Sequence, residues 1–226
     1  MKLLGLLIMA AMPGVTSAAE PAFSGNVGVT SNYIWRGETQ TGDEAAVFGG
    51  LDYVSGGGAY AGLWTAPVSG DQEYELDLYG GYRFGRSDRW DIGFIRYLYP
   101  GEQSTGGSQV HGLAKGDFTE LRIGVELGAH EVAWYYSPDY RATGEDQHYL
   151  EINLRRPFGR STVEFHFGAK QGKAVDDTEN RVGDYRLSLI RGPFTFSITE
   201  MTDNEDGRQS DNPRLAATWR HQIGLF

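Results

Sequence analysis

An all-β fold, an up-and-down antiparallel β-barrel of about twelve transmembrane strands, is what the 226-residue sequence predicts. Three observations carry it. Apolar and polar residues alternate in some twelve runs, the runs are joined alternately by very short and by longer polar connections, and Tyr and Trp gather near the ends of the runs.

The first segment reads as an export signal. Lys2 precedes an uncharged apolar stretch from Leu3 to Met12, and the small residues Ser17, Ala18 and Ala19 then offer an A-x-A-like cleavage site. Cleavage after Ala19, with Ala18 the neighbouring alternative, leaves 1–19 as signal peptide and 20–226 as one barrel domain. The apolar stretch is too short to span a bilayer as a helix, and no later segment approaches the ~20 consecutive apolar residues a membrane helix needs. A mature chain that spans a membrane must then do so as a closed barrel, the form that leaves no backbone group unpaired toward lipid. The expected location is the outer membrane of a Gram-negative bacterium.

The strands are expected at 23–36, 44–54, 59–66, 72–84, 89–99, 117–127, 130–137, 147–157, 160–170, 181–191, 194–202 and 213–225. Ten or fourteen strands are the alternatives, because the third strand is short and the segment 100–116 is rich in glycine. Short turns fall at Ser55-Gly56-Gly57-Gly58, Gly85-Arg86-Ser87-Asp88, Gly128-Ala129, Phe158-Gly159 and Gly192-Pro193. Longer polar loops fall at 37–43, 67–71, 100–116, 138–146, 171–180 and 203–212. An even strand count with this alternation puts both termini on the periplasmic side.

Period-two patterning assigns the faces. Leu76, Leu78, Gly80, Tyr82 and Phe84 alternate with Glu73, Glu75, Asp77, Tyr79, Gly81 and Arg83. Leu121, Ile123, Val125 and Leu127 oppose Glu120, Arg122, Gly124 and Glu126, and Val163, Phe165 and Phe167 oppose Glu164, His166 and Lys170. A Lys or Arg near the bilayer midplane costs about 2–4 kcal/mol, so the charged set should line the lumen. A soluble lipocalin-like barrel has the same period with the apolar face inward, but it uses about eight strands. The expected aromatic girdle consists of Trp35, Trp64, Tyr99 and Tyr136 toward the loops and Tyr53, Tyr82, Trp90 and Phe226 toward the turns. The 32 glycines and the many aromatics (5 Trp, 13 Tyr, 11 Phe) suit strands that curve and end at headgroups. The mean hydropathy is negative, as a barrel allows, since only one face must be apolar. With no cysteine there is neither a disulfide nor a thiolate metal site, and a net charge of −10 disfavours nucleic acid as a partner.

The segment Asn26–Thr41, together with Gly50-Leu51-Asp52-Tyr53 and Ala59–Trp64, resembles the opening of the TorF porin family. The specific elements are Tyr33-x-x-Arg36-Gly37-x-x-Gln40-Thr41 and Tyr60-x-Gly62-x-Trp64. The resemblance runs more loosely over the whole mature chain and implies an outer-membrane barrel with a transport role and no catalytic residues. One departure concerns the C-terminus. A terminal Phe normally lies in register with apolar residues at every second position, yet here that register reads Gly224, Gln222, Arg220 and Thr218, while Trp219, Ile223 and Leu225 fall in the other. A bulge near Gly224 would reconcile the two.

Candidate chemistry concentrates in the lumen. The expected pore-lining residues are Arg36, Asp52, Glu73, Glu75, Asp77, Arg83, Glu120, Arg122, Glu126, Glu151, Arg155, Glu164, His166, Asp184, Arg186 and Arg220, with Lys170 beside them. Opposite charges across a bore order water and set ion preference, and the same residues can also pair and fill the bore. The expectation is a narrow channel for small polar solutes or ions, at most mildly cation-selective, without a cofactor. The rival readings are a closed structural barrel or adhesin and an outer-membrane lipid-modifying enzyme. Arg36, where the first strand meets its loop, suits an entrance guard or a structural partner of a lumen acid, and loop 100–116 suits an inward constriction. The acidic runs Asp176–Asn180 and Asp203–Gly207 offer oxygen ligands for calcium, but Arg214 stands where an EF-hand loop needs Glu. His148 is the one candidate for an enzyme's base, and no Gly-x-Ser-x-Gly element or metal-binding His pair accompanies it. The partners expected are outer-membrane lipid, the barrel-assembly machinery and a small solute or ion.

Overall fold

The computed structural model describes residues 21–69, 74–100, 108–110, 113–174, 182–202 and 213–225. Twelve strands form one closed antiparallel barrel. They are β1 (Ala22–Thr30), β2 (Ala46–Val54), β3 (Ala59–Pro67), β4 (Tyr74–Phe84), β5 (Trp90–Leu98) and β6 (Phe118–Leu127). The second half comprises β7 (His130–Ser137), β8 (Gln147–Phe158), β9 (Ser161–Gln171), β10 (Val182–Arg191), β11 (Phe194–Met201) and β12 (Arg214–Gly224). Each strand pairs with its neighbours in sequence, and β1 closes on β12 from Ser24 opposite Gly224 to Thr30 opposite Thr218. Closure removes both sheet edges, which is what lets such a sheet stand in lipid.

Burial alternates along the strands with the period the sequence shows. In β6 the buried Glu120 and Arg122 alternate with the exposed Leu121 and Ile123, and in β9 Glu164 and His166 alternate with Phe165 and Phe167. The charged set therefore faces inward and the apolar set outward. Toward the short-turn end the inward face opens to solvent: Glu126 and Gln222 are exposed although their neighbours deeper in the bore are not. The opposite end is filled by chain.

Two features differ from the sequence-based expectation. The first strand ends at Thr30 rather than near residue 36, because short polar side chains draw the backbone out of the ladder. Thr30 Oγ1 donates to the Asn32 carbonyl at 2.8 Å, Asn32 Nδ2 donates to Asp43 Oδ1 at 2.7 Å, and Thr39 Oγ1 donates to Asn32 Oδ1 at 2.8 Å. Beyond Asn32 the chain forms a separate small hairpin, Ile34–Trp35 against Glu38–Thr39, turned by Arg36 and Gly37 at φ 48° and 82°. Two successive positive φ angles are what a two-residue hairpin turn with strand-compatible twist requires. The second difference is at the other terminus. Pairing with β1 runs without interruption through Gly224, and Leu225 N–H still donates to the Phe23 carbonyl at 3.0 Å, so no bulge intervenes. Ile223 and Leu225 thus belong to the outward face, and Phe226 lies outside the described residues. The constriction expected of loop 100–116 falls mostly on residues outside that range; its described part contains a short pair, Ser108–Val110 against Leu113–Lys115.

Phe165 sits outward at the middle of β9, so Phe165→Arg should weaken folding into lipid by about 2–4 kcal/mol. Denaturant titration in bilayers measures this; an unchanged midpoint would contradict the assignment of faces.

Candidate functional site in the barrel lumen

The inserted first loop organises the upper lumen. Tyr33, Trp35, Arg36, Glu38, Gln40 and Thr41 are all buried, although none lies in a barrel strand. Trp35 rests 5.5 Å from the Tyr97 ring and stacks at 6.5 Å on Tyr140, which arrives from loop 138–146; Tyr97 in turn stacks on Phe118 at 4.4 Å. Gly37 is required here on two counts: its φ is 82°, and a Cβ would stand 2.2 Å from Met201 Cγ.

The residues flanking that turn anchor it by charge. Arg36 Nη1 and Nη2 donate to Glu120 Oε1 and Oε2 at 2.7 and 2.8 Å, a bidentate pair that is almost wholly buried. Its guanidinium also lies 4.0 Å from the Tyr149 ring centre, 4.5 Å from Trp35 and 4.9 Å from Tyr135. On the other side of the turn, Glu38 accepts from Arg141 Nη2 at 2.9 Å and from Lys170. Burial by itself raises the Glu38 pKa, but the two cations outweigh it and hold the carboxyl down at about 2.

Below the loop the expected lining residues form a continuous network. Arg122 bridges Asp91 and Glu131 and donates to Tyr135 Oη at 3.2 Å. Arg155 donates to Glu164 at 2.7 Å, and Arg186 reaches the same carboxylate at 3.3 Å. His166 sits between Asn153 Oδ1 at 2.7 Å and Asp184 Oδ1 at 3.0 Å, with Tyr149 Oη at 3.1 Å. Tyr135 Oη donates to Glu151 at 3.0 Å, Tyr33 Oη donates to Glu75 at 2.7 Å, Tyr79 donates to Asp52, and Arg83 pairs with Asp91 at 3.4 Å. Asp52 also lies within electrostatic reach of Arg220. Asp77 is buried but makes no ion pair or hydrogen bond among the described residues, and one of its oxygens is sealed from solvent without a partner. Glu126 lies on the inward register at the exposed rim, and Glu73 lies outside the described residues.

Sequence reasoning missed Glu38, Arg141, Asp91 and Glu131. The last two were accessible: Glu131 shares its register with Ala133 and Tyr135, and Asp91 stands directly across from Arg83. Glu38 and Arg141 come from loops, where no period points to the lumen.

Of the expected girdle, Tyr53, Tyr82, Trp90 and Tyr136 face outward. Trp35, Trp64 and Tyr99 do not, and this corrects the assignment. Trp64 shares the buried register of Tyr60 and Ala66, Tyr99 that of Ile95 and Tyr97, and Trp35 left the barrel with its loop. Nearness to a strand end does not place an aromatic ring in lipid; parity does. Trp134 adds to the outer belt, stacked with Tyr136 at 6.0 Å and with His148 at 5.6 Å. The acidic loops considered for calcium, 176–180 and 203–207, lie outside the described residues.

A closed twelve-strand antiparallel barrel with an apolar exterior and a charged interior defines a transmembrane barrel of the outer-membrane porin fold. The chain belongs to the Gcw_chp family, described as a bacterial protein of unknown function, over residues 15–210. No curated protein matches. Among solved structures the chain is similar to the KdgM porin, with a TM-score of 0.52 and 9% identity over 90% of this chain and 99% of that one. It also matches an outer membrane channel from Pseudomonas putida F1 at 0.47, 11% identity, 96% of this chain and 100% of that one. OccD1 (OprD) matches at 0.44 with 14% identity, over 91% of this chain and 66% of that one.

Because the Glu38 pKa is depressed, the hold on the loop is fully present above the ordinary carboxylate value of 4.5 and is lost as pH falls through about 2. Tryptophan fluorescence of the folded barrel should therefore stay constant from pH 7 to 4 and change only near pH 2; a transition centred near pH 4.5 would contradict the anchoring.

Proposed function

We propose that this protein is an outer-membrane channel that passes small polar solutes or ions by diffusion through a narrow, mildly cation-selective bore. The observation that carries the reading is the lumen itself: charged side chains from β2 and from every barrel strand between β4 and β10 converge on a bore that the first loop narrows from one end. A barrel interior built only for stability would gain more from apolar packing, since buried ion pairs are often no better than hydrophobic residues of equal volume. Several sealed polar atoms without protein partners, among them Trp35 Nε1, Gln40 Oε1 and Gln147 Oε1, suit an interior that admits water. The resemblance of 26–64 to TorF porins and the export signal of 1–19 agree with this reading, which includes no catalytic step.

A second reading, a plugged structural barrel, draws on the loop anchors, because Arg36–Glu120 and Glu38 with Arg141 and Lys170 fix the loop across the bore. Planar-bilayer conductance of the refolded chain separates the two. A channel gives small discrete steps that grow several-fold in Glu38→Gln, as the loop loses one of its two charge anchors. Silence from both proteins, each shown to be folded by heat-modifiable mobility, supports the plugged barrel. In a conducting barrel, Arg122→Ala leaves Asp91 and Glu131 without their shared cation and should raise the cation-to-anion permeability ratio. A shift toward anions would overturn that account of the lumen.

A further inference from the structure

The lumen network pairs most acids with bases; among the described residues Asp52, Glu75, Asp77 and Glu151 stand in no ion pair, and two of these four follow each other on one strand. Glu75 and Asp77 are consecutive inward residues of β4, both 2% exposed. Neither has an ion-pair partner among the described residues. Glu75 accepts a hydrogen bond from the Tyr33 hydroxyl, whereas Asp77 has no hydrogen bond at all among the described residues. Glu120 also lies within electrostatic reach of Asp77, and its charge is taken up by Arg36. Three carboxylates therefore share one guanidinium, a local excess of negative charge in a site closed to bulk solvent. Such an excess is costly unless a proton or a bound cation neutralises it, and a bound cation competes with the proton for the same oxygens.

The surroundings say which kind of cation. Asp77 stands in register with Trp64 on β3 and with Tyr97 on β5, both buried. Tyr33 and Tyr99 lie within electrostatic reach of both carboxylates, and the Tyr33 and Trp64 rings meet edge to face at 5.4 Å. Alternate residues of a strand are spaced about 7 Å apart, enough for one ammonium group centred between two carboxylates. Aromatic faces beside carboxylates attract organic ammonium ions through the ring quadrupole as well as by charge, whereas an alkali ion needs a shell of oxygens. Among the described residues no three acidic or imidazole groups converge as a metal site would require.

We propose that Glu75 and Asp77, enclosed by Tyr33, Trp64, Tyr97 and Tyr99, form a binding site for an alkylated ammonium ion within the lumen. The proposal rests on the channel reading and names the solute class that the bore favours. Trp35 and Trp64 are the inward tryptophans of the five, while Trp90, Trp134 and Trp219 belong to the outward register, so intrinsic fluorescence reports on the site.

The test titrates the refolded mature chain with tetramethylammonium chloride, against potassium chloride at equal ionic strength. The expected result is a saturable fluorescence change with tetramethylammonium alone, weakened at least tenfold in Asp77→Asn and in Glu75→Gln and unaltered in Glu145→Gln, an exposed loop position. Trp64→Leu, which keeps both carboxylates, should also weaken it. A response equal in potassium, a non-saturating response, or one that persists in Asp77→Asn overturns the site. Conductance recorded on the same preparations keeps the two proposals apart. Cation-selective steps without saturable ammonium binding overturn the site and leave the channel standing; saturable binding in a folded, silent barrel upholds the site and overturns the channel.

Discussion

The ladder between β1 and β12 is the constraint on which everything else rests. In lipid an unpaired backbone amide or carbonyl costs several kcal/mol, so a sheet left open by one strand would expose a full row of them. With Ser24–Thr30 bonded to Thr218–Gly224, no row remains, and the side chains are free to be sorted purely by face. The outward face needs only to be apolar. The inward face takes most of the charge the strands carry, and outward charges such as Arg96, Arg156 and Glu200 lie toward the strand ends.

That sorting turns a membrane problem into an electrostatic one. Charges gathered in a bore lose much of their hydration and must be met by each other, and the network from Arg122 through Glu131, Arg155 and Glu164 to Arg186 meets them across neighbouring strands. The first loop adds the remaining layer. Arg36 and Glu38 carry opposite charges on either side of one tight turn, so the hairpin is held by attraction to an acid on one wall and to bases on others. The aromatic stack of Trp35 with Tyr97, Phe118 and Tyr140 supplies the apolar contact that the charges alone would lack.

The barrel was legible in the sequence because period two is a property of neighbouring residues, and a residue such as Glu164 between Val163 and Phe165 declares its face locally. What was not legible arose wherever the answer depended on distant partners. Trp35 reads as the end of a strand, and only the hydrogen bonds of Asn32 to Asp43 and Thr39 show the chain leaving the sheet before it. Trp64 and Tyr99 read as girdle residues by position, yet each lies on the inward parity. Asp77 looks like any lumen acid until the absence of a facing base is seen, a fact about β3 and β5 rather than about its own strand.

The loop anchors also carry a consequence for assembly. Glu38 finds Lys170 132 positions away and Arg141 103 positions away, and Arg36 finds Glu120 across 84. Contacts of such sequence separation form slowly, because the intervening chain must first be ordered. The loop that follows β1 is thus one whose native place is complete only once β9 stands in the sheet. A loop anchored this way is tied to the completeness of the wall around it, so a barrel that lacks β9 would lack one of the loop's charge anchors.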